Sequence, residues 1–264
     1  MRKMAFLGMK AMLLAAGLGK RLRPLTDQCP KCMVPVAGKP VLQWNIEWLR
    51  SQGVVDLVVN LHHYPEAVTD YFGDGSAYGV RLRYSYEPVL LGTAGALWGA
   101  RQLLSSERFW VIYADNLVNC SLERMESRHL SANATLTMGL FWREDVSSSG
   151  VAELNDDGRI TGFKEKPRAK EARSHWVNAG LFRCNYKILQ FIPPNQNCDF
   201  GLDIFPAMLA AGEPMYGYPF VNGESLYWID TPEDLARTGA ILQKGSIPSS
   251  QEFARALSKT KPYL

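Results

Sequence analysis

The sequence predicts an α/β fold: a Rossmann-like, mostly parallel but mixed sheet with helices on both faces, built as a single domain. Short apolar runs alternate with helical periodicity through the first half of the chain, which is typical of βαβ units with right-handed crossovers. The 264 residues, 47% hydrophobic and 21% charged, are enough to bury one large core. No Gly/Ser-rich or Pro-rich linker divides the chain.

Strands and helices are predicted in alternation up to residue 113. The strands are apolar runs, and the first helix has Leu42, Ile46 and Leu49 on one face and Gly53 just after its end. The predicted order is strand Met9–Ala15, helix Pro40–Gln52, strand Val55–Asn60, helix Pro65–Phe72, strand Val80–Tyr86, helix Thr93–Leu104 and strand Phe109–Tyr113.

The second half has a less regular pattern. The sequence Asn-Asp-Asp-Gly at residues 155–158 predicts a β-hairpin, and Thr231 followed by Pro232 marks the start of the last helix. The remaining predicted elements are strand Ala134–Trp142, hairpin strands Val151–Leu154 and Arg159–Phe163, strand Trp176–Cys184, helical stretches near Tyr186–Phe191 and Leu202–Ala211, strands Met215–Phe220 and Ser225–Ile229, and helix Pro232–Gln243.

The two ends of the chain are predicted to lie outside the domain. Residues 1–8 are expected to be an N-terminal extension, residues 9–243 the domain, and residues 244–264 a polar tail. The first residues lack the apolar segment of a signal peptide, and no stretch is apolar over the length of a bilayer. The net charge of +3, without a basic run, predicts neither a nucleic acid nor a membrane as partner.

The five cysteines indicate a reducing compartment, so a cytoplasmic location is expected. An odd, sparse count is not the pattern of a disulfide framework. Cys29 and Cys32 have the spacing of a metal or redox pair, but the four histidines offer no second ligand pair for zinc. We therefore interpret the cysteines as incidental.

The segment after the first strand predicts a phosphate-binding loop. Gly17 and Gly19 allow the backbone to approach a ligand and to present N–H groups to an anion. Arg21 adds a fork of donors for phosphate oxygens, and Lys31 adds a mobile positive charge. We expect this loop to be a surface element that holds a polyphosphate.

Two common phosphate-binding motifs do not fit this loop. The dinucleotide motif G-x-G-x-x-G needs a third glycine where Leu22 stands. The P-loop needs Ser or Thr after Gly-Lys, but Gly19-Lys20 is followed by Arg21. The missing third glycine therefore argues against an NAD-type oxidoreductase, which is one alternative function for an α/β chain.

The loop resembles the signature of sugar-1-phosphate nucleotidylyltransferases, G-x-G-x-R-[LM]-x-P-x-T followed by P-K-x-x-x-P-V. Residues 91–97, Leu-Gly-Thr-Ala-Gly-Ala-Leu, are similar to a motif of mannose-1-phosphate and heptose-1-phosphate guanylyltransferases. The resemblance spans roughly residues 9–243. It implies a single nucleotidyltransferase domain that joins a nucleoside triphosphate to a sugar 1-phosphate and releases pyrophosphate. These small molecules are the expected partners, and a homo-oligomer is left open.

The resemblance also implies a nucleotide site with Mg²⁺ as cofactor. Asp115 follows the fourth strand and Asp230 precedes the last helix, and both are expected to bind the metal. Asp230 alternatively serves only as an anion at a helix start. Ala114 replaces a usual glycine before Asp115, and the turn after Asp230 is shorter than D-x-G-T-P. The implied nucleotide-binding residues are Ala15, Ala16, Gly17, Gly19, Arg21, Lys31, Gly92 and Thr93.

Two motifs in the second half resemble the sugar-phosphate site of the family. Glu165 and Lys166 lie in an E-K-P motif, and Asn178 begins an N-x-G motif. Lys166 suits a phosphate dianion, while Glu165 and Asn178 suit hydroxyl groups. Gly150 matches a glycine that lets the sugar approach the backbone. The implied sugar-phosphate-binding residues are therefore Gly150, Glu165, Lys166 and Asn178.

The predicted mechanism needs no general base, because the attacking phosphate oxygen is already an anion. Catalysis then depends on positioning and on neutralising charge, with Arg21, Lys31, Asp115 and Lys166 as the catalytic residues. Gly95 stands where thymidylyltransferases usually carry Gln, which favours GTP over UTP, dTTP or CTP. The identity of the sugar is not predicted. Three aromatic residues either line its pocket or pack the core, and both possibilities are left open: Trp142, Trp176 and Tyr227. A non-catalytic sugar-nucleotide-binding regulator remains an alternative.

Overall fold

A nine-stranded mixed sheet forms the centre of the protein, in a computed structural model that describes residues 8–168, 170–221 and 223–244. Most of the predicted N-terminal extension (1–8) and of the predicted tail (244–264) lies outside these residues. Within them, no helix has both the length and the apolar character needed to cross a membrane.

The strands follow the apolar runs of the sequence. The strands that were predicted agree in their bounds with the observed ones to within about two residues, the uncertainty expected of element ends. They are β1 (Lys10–Leu14), β2 (Pro35–Val36), β3 (Lys39–Pro40), β4 (Asp56–Leu61), β5 (Arg81–Tyr86), β6 (Arg108–Tyr113), β7 (Asn116–Asn119), β8 (Leu136–Trp142), β9 (Gly150–Leu154), β10 (Ile160–Glu165), β11 (Trp176–Asn185), β12 (Met215–Pro219) and β13 (Ser225–Trp228).

The central sheet has a parallel half and a mainly antiparallel half. Its main path runs β10-β9-β11-β6-β1-β4-β5, with β8 beside β11 and β12 beside β8. The neighbours β6, β1, β4 and β5 are parallel, whereas β11 is antiparallel to β6, β8 and β9. Two small sheets, β7 with β13 and β2 with β3, lie apart from it. The predicted mixed sheet is confirmed, and the strands that the first half of the chain contributes to it pair in parallel with one another.

Helices cover both faces of the sheet, as predicted. Along β1, Met12 packs into one hydrophobic cluster while Ala11 and Leu13 pack into another, because successive strand residues point to opposite faces. The α-helices are α1 (Val41–Ser51), α2 (Pro65–Phe72), α3 (Gly92–Ala100), α4 (Leu122–Ser131), α5 (Phe205–Ala210) and α6 (Pro232–Lys244). Short 3-10 segments include Lys20–Leu22, Leu25–Asp27, Lys31–Met33 and Tyr186–Phe191.

Four of these strands and helices, β2, β3, β7 and α4, were not predicted. Helix α4 begins at a capping residue, Ser121, whose hydroxyl accepts a hydrogen bond of 3.2 Å from Arg124 N. The predicted helix Leu202–Ala211 is also different, since a π-helical turn (Phe200–Ile204) precedes α5. Pro206 has no N–H to donate to the preceding turn, so the regular α-helix begins only at Phe205.

The predicted start of the last helix is confirmed in detail. Asp234 N donates to Thr231 Oγ1 and Thr231 N donates to Asp234 Oδ2, both at 3.2 Å. This reciprocal pair is a capping box, and it fixes the turn that follows Asp230. The helix start is therefore rigid enough to hold Asp230 in one position.

Candidate active site

The predicted phosphate loop folds back on Gly19. The backbone of Gly19 has φ of 59°, in the left-handed region. A Cβ there would lie 2.8 Å from Thr26 Cγ2 and 2.9 Å from Lys31 Cβ. Leu22 N and Thr26 Oγ1 both donate to the Gly19 carbonyl at 2.9 Å. Glycine is thus required at this position both by conformation and by space.

A buried chain of hydrogen bonds ties this loop to the segment before α3. Ala15 N donates to Asn60 Oδ1 at 2.7 Å, and Asn60 Nδ2 donates to Glu87 Oε1 at 2.7 Å. The other oxygen, Glu87 Oε2, accepts from Leu91 N at 3.0 Å. Sequence reasoning missed Asn60 and Glu87, although a polar Asn at the end of an apolar strand was a visible signal.

Lys31, Asp115 and Asp230 meet at one point. Lys31 Nζ lies 2.6 Å from Asp115 Oδ2 and 2.6 Å from Asp230 Oδ1, and Arg21 Nη2 lies 3.1 Å from the same Asp230 oxygen. Burial alone would lower the pKa of Lys31, but the two carboxylates outweigh it and raise that pKa. The Lys31 side chain is 9% exposed, so the expected surface position holds for Arg21, at 65%, and is wrong for Lys31.

The pairing of β7 with β13 brings the two aspartates together. Asp115 immediately precedes β7, and Asp230 lies two residues after the end of β13. Because these strands are antiparallel, with Trp228 opposite Asn116, the start of one lies beside the end of the other. Asn45 of α1 supports the turn by donating to the Asn116 carbonyl at 3.0 Å. The shorter turn after Asp230 therefore does not move it away from Asp115.

This arrangement fits a magnesium ion held largely by its substrate. Asp115 and Asp230 present carboxylate oxygens to a shared cation, the Lys31 ammonium group. In residues 8–168, 170–221 and 223–244 there is no cluster of three or more His, Cys, Asp or Glu that could hold a metal. Mg²⁺ usually binds through one or two carboxylates together with water and substrate phosphates. Asp115 and Asp230 are therefore enough protein ligands for such an ion.

The predicted sugar residues lie on, or just after, three neighbouring strands: Gly150 on β9, Glu165 and Lys166 at the end of β10, and Asn178 on β11. Glu165 on β10 is opposite Gly150 on β9, and a Cβ on Gly150 would lie 2.6 Å from Glu165 Oε2. Burial raises the pKa of Glu165, while Lys166, with Nζ 3.8 Å from Oε1, opposes that shift. Asn178 Oδ1 accepts from Gly180 N at 2.8 Å, which closes the N-x-G turn.

The motif at residues 91–97 holds a second segment, residues 196–200. Thr93 Oγ1 donates to Asp199 Oδ2 at 2.8 Å and accepts from Phe200 N at 2.9 Å. A Cβ on Gly92 would lie 2.5 Å from the Cys198 carbonyl oxygen, and one on Gly95 would lie 2.4 Å from the Gln196 carbonyl oxygen. The glycine at position 95 is therefore explained by packing, without reference to a nucleobase. Sequence reasoning missed Asp199 altogether.

The aromatic residues divide between surface and core. Trp142 is 43% exposed and stacks on His175 at 5.4 Å between ring centroids. Trp176 and Tyr227 are partly buried and pack against two different hydrophobic clusters. The cysteines of the described residues are all free, so Cys29 and Cys32 form no disulfide here. Burial raises the pKa of the Cys32 thiol to about 12.

A family model for nucleotidyl transferases matches residues 10–239, which include every site residue described above. The chain belongs to the nucleotidyl transferase family. Among curated relatives, a UTP–glucose-1-phosphate uridylyltransferase from Synechocystis sp. is 36% identical over 84% of this chain and 60% of its own length. A mannose-1-phosphate guanylyltransferase from Mycobacterium tuberculosis is 31% identical over 90% of this chain and 66% of its own length. The chain thus spans less than two thirds of the length of each of these two relatives.

A third relative matches over nearly its full length. The D-glycero-alpha-D-manno-heptose 1-phosphate guanylyltransferase of Aneurinibacillus thermoaerophilus is 29% identical over 89% of this chain and 99% of its own length. Among solved structures, a Bacillus anthracis protein in complex with sucrose has a TM-score of 0.81 at 22% identity, covering 92% of this chain and 99% of its own. The predicted family resemblance and fold class are confirmed.

Proposed function

We propose that this nucleotidyl transferase transfers a nucleoside monophosphate from a nucleoside triphosphate, with GTP favoured, to a sugar 1-phosphate. The products would be a nucleoside diphosphate sugar and pyrophosphate. The proposal depends on one observation. Arg21, Lys31, Asp115 and Asp230 meet at one point, which we call the phosphate end of the site. Positive groups and metal-binding carboxylates are what an in-line transfer between two anionic substrates requires.

In the proposed reaction, an oxygen of the sugar phosphate attacks the α-phosphorus of the triphosphate. The bond from that phosphorus to the bridging oxygen breaks, and its electron pair leaves with pyrophosphate. Lys31 and Arg21 neutralise negative charge on the triphosphate. Asp115 and Asp230 would hold Mg²⁺, which when bound supplies further positive charge at the phosphate oxygens. No residue has to remove a proton, because the attacking oxygen is ionised.

The sugar phosphate is proposed to bind at Gly150, Glu165, Lys166 and Asn178. Lys166 has a positive backbone φ of 46°, and its N–H donates to the Ser149 carbonyl at 3.0 Å. This turn directs the chain away from β10 just after Glu165. The Lys166 side chain is 66% exposed and so remains available to a phosphate dianion.

The choice of GTP is supported by guanylyltransferases among the relatives, including the two described above. The uridylyltransferase from Synechocystis sp. supports UTP as the second candidate. Gly92 and Thr93 are held in place by contacts with residues 198–200, and we propose that Gly92 and Thr93 themselves form one wall of the nucleotide site. We also propose that the enzyme works in the cytoplasm and that residues 9–243 are the catalytic domain.

The test is the release of pyrophosphate from a matrix of substrates. The purified chain is mixed with Mg²⁺, each of GTP, UTP, dTTP and CTP, and a panel of sugar 1-phosphates. We expect turnover with at least one pair, fastest with GTP. Faster turnover with another triphosphate would replace GTP in the proposal. Binding of sugar nucleotides without pyrophosphate release from any pair would instead support a non-catalytic regulator.

A further inference from the structure

The carboxylates of Glu165 and Asp199 lie close together beside the proposed sugar-phosphate site, which we call the sugar end. A Cβ on Gly201 would lie 2.6 Å from Glu165 Oε2 and 3.3 Å from Asp199 Oδ1. The two acidic side chains therefore meet over the α-carbon of Gly201. Among the described residues, the cation that approaches Glu165 is Lys166, whose Nζ lies 3.8 Å away, beyond ordinary hydrogen-bonding distance.

Asp199 is held firmly, but by neutral donors. Its Oδ1 accepts from Gly201 N at 2.8 Å and from Leu202 N at 3.1 Å, and its Oδ2 accepts from Thr93 Oγ1 at 2.8 Å. Three donors fix the direction of the carboxylate without cancelling its charge. No ion pair with Asp199 occurs in the described ranges 8–168, 170–221 and 223–244.

We propose that Glu165 and Asp199 form an acceptor wall that selects neutral sugar 1-phosphates and rejects sugar 1-phosphates that carry a carboxylate. This inference rests on the proposed function. The hydroxyl groups of a neutral sugar are donors that such a wall can accept. A carboxylate on the sugar ring would instead face two anionic side chains, and specificity of this kind comes from repulsion of the wrong ligand. Lys166 does not offset the repulsion, because the phosphate occupies it.

The experiment compares sugar phosphates that differ by one carboxylate. Pyrophosphate release is measured with the best triphosphate and with glucose 1-phosphate against glucuronate 1-phosphate. The panel also includes mannose, heptose and N-acetylglucosamine 1-phosphates as neutral members and N-acetylmuramate 1-phosphate as an acidic one. We expect the best neutral substrate to exceed the best acidic one by at least about tenfold in kcat/KM. An acidic sugar as best substrate would overturn the inference and leave the proposed function standing.

Variants connect the selectivity to the wall. Asp199→Asn keeps the shape but removes one charge, so the ratio of neutral to acidic kcat/KM should fall several-fold. The matched control is Asp156→Asn, the same change at an exposed turn residue, which should leave the ratio unchanged. If Asp199→Asn does not fold, Glu165→Gln tests the same ratio. An unchanged ratio in a folded variant would contradict the wall, whereas no pyrophosphate from any pair would contradict the proposed function itself.

Discussion

The phosphate end and the sugar end of the candidate site differ in how closely their carboxylates are paired with cations. At the phosphate end, Lys31 Nζ lies 2.6 Å from the carboxylates of both Asp115 and Asp230. At the sugar end, Glu165 has Lys166 no closer than 3.8 Å, and Asp199 is bound by backbone and hydroxyl donors. One end therefore pairs its charges within the protein, while the other leaves acceptors for a ligand.

This difference has opposite consequences for stability. Removing the shared cation at the phosphate end leaves two carboxylates facing each other, which destabilises the folded state. Removing the charge of Glu165 relieves a partly buried carboxyl group whose ion pair with Lys166 is long, at 3.8 Å, which stabilises the folded state. The comparison is thus open to test by substitutions that change one charge at a time.

The largest expected fall in turnover follows from removing a carboxylate at the phosphate end. Asp115→Asn keeps the shape of the side chain but removes its charge, so turnover should fall at least about a hundredfold if this group holds the metal. Initial rates at increasing Mg²⁺ measure the effect, and excess Mg²⁺ should not restore them fully. Asp156→Asn serves as control. A folded Asp115→Asn enzyme with near-normal turnover would remove Asp115 from the metal site.

The next effect separates the two cations of the phosphate end. Arg21→Lys keeps a charge but loses the paired donors, so kcat/KM for the triphosphate should fall at least about tenfold. Because the Arg21 side chain is 65% exposed, the melting temperature of the Arg21→Lys variant should stay near that of the wild type. Lys31→Ala should lower kcat and also destabilise the fold by roughly 2 kcal/mol, since two carboxylates lose their shared partner.

The control for stability is Lys187→Ala, which removes an exposed lysine from an ion pair with Glu213 of the same 2.6 Å length. That pair lies outside the site, and its loss should change stability by less than about 1 kcal/mol. Thermal melting of Lys31→Ala and Lys187→Ala in parallel makes the comparison. Equal melting temperatures for the two variants would show that the buried cluster around Lys31 contributes no more than a surface pair does.

Much of the phosphate end could be predicted from the sequence because its residues follow apolar strands. Gly19 and Arg21 lie in the loop that follows the clear strand β1, Asp115 lies just after the clear strand β6, and parallel strands bring such residues to one edge. The burial of Lys31 could not be predicted, since it depends on Asp230 in a distant part of the chain. The pairing of the short strands β7 and β13, which places Asp230, is likewise a long-range contact.

The sugar end was only half predictable for the same reason. Glu165, Lys166 and Asn178 lie in short motifs, and the hairpin that carries Glu165 has a clear turn signal. Asp199 has no such signal, because its role depends on Thr93, more than a hundred residues earlier. The packing of Gly95 against the Gln196 carbonyl is of the same kind, and it explains why a motif read for base preference also reflects a backbone contact.

A smaller effect is expected from the exposed cation of the sugar end. Lys166→Ala should raise the KM for the sugar phosphate several-fold and leave the KM for the triphosphate nearly unchanged, because its ammonium group lies beside Glu165 rather than Asp115. Steady-state kinetics with each substrate varied in turn measure the two constants. Lys164→Ala, on a neighbouring exposed lysine paired with Glu171, is the matched control. Equal increases in both KM values would contradict the division into two ends.

The smallest effect concerns Glu165 and its pH dependence. Burial raises the pKa of this carboxyl group above its ordinary value of 4.5, so the folded state binds its proton more tightly than the unfolded state does. Stability due to this group is therefore lost as pH rises from 4.5 through the raised pKa, and it stays low above that pKa. Glu165→Gln should remove the penalty and stabilise the protein at neutral pH by roughly 0.5 kcal/mol, or about 1–2 °C.

Melting temperatures of Glu165→Gln and wild type across pH 4 to 8 test this sign. The gain of the variant should be absent near pH 4, grow as pH rises, and level off near neutrality, while pyrophosphate release falls because a sugar contact is lost. Glu144→Gln, at an exposed position, should show no such trend. Destabilisation by Glu165→Gln at neutral pH would mean that Lys166 pairs with this carboxylate as closely as Lys31 pairs with its own. The contrast between the two ends would then disappear.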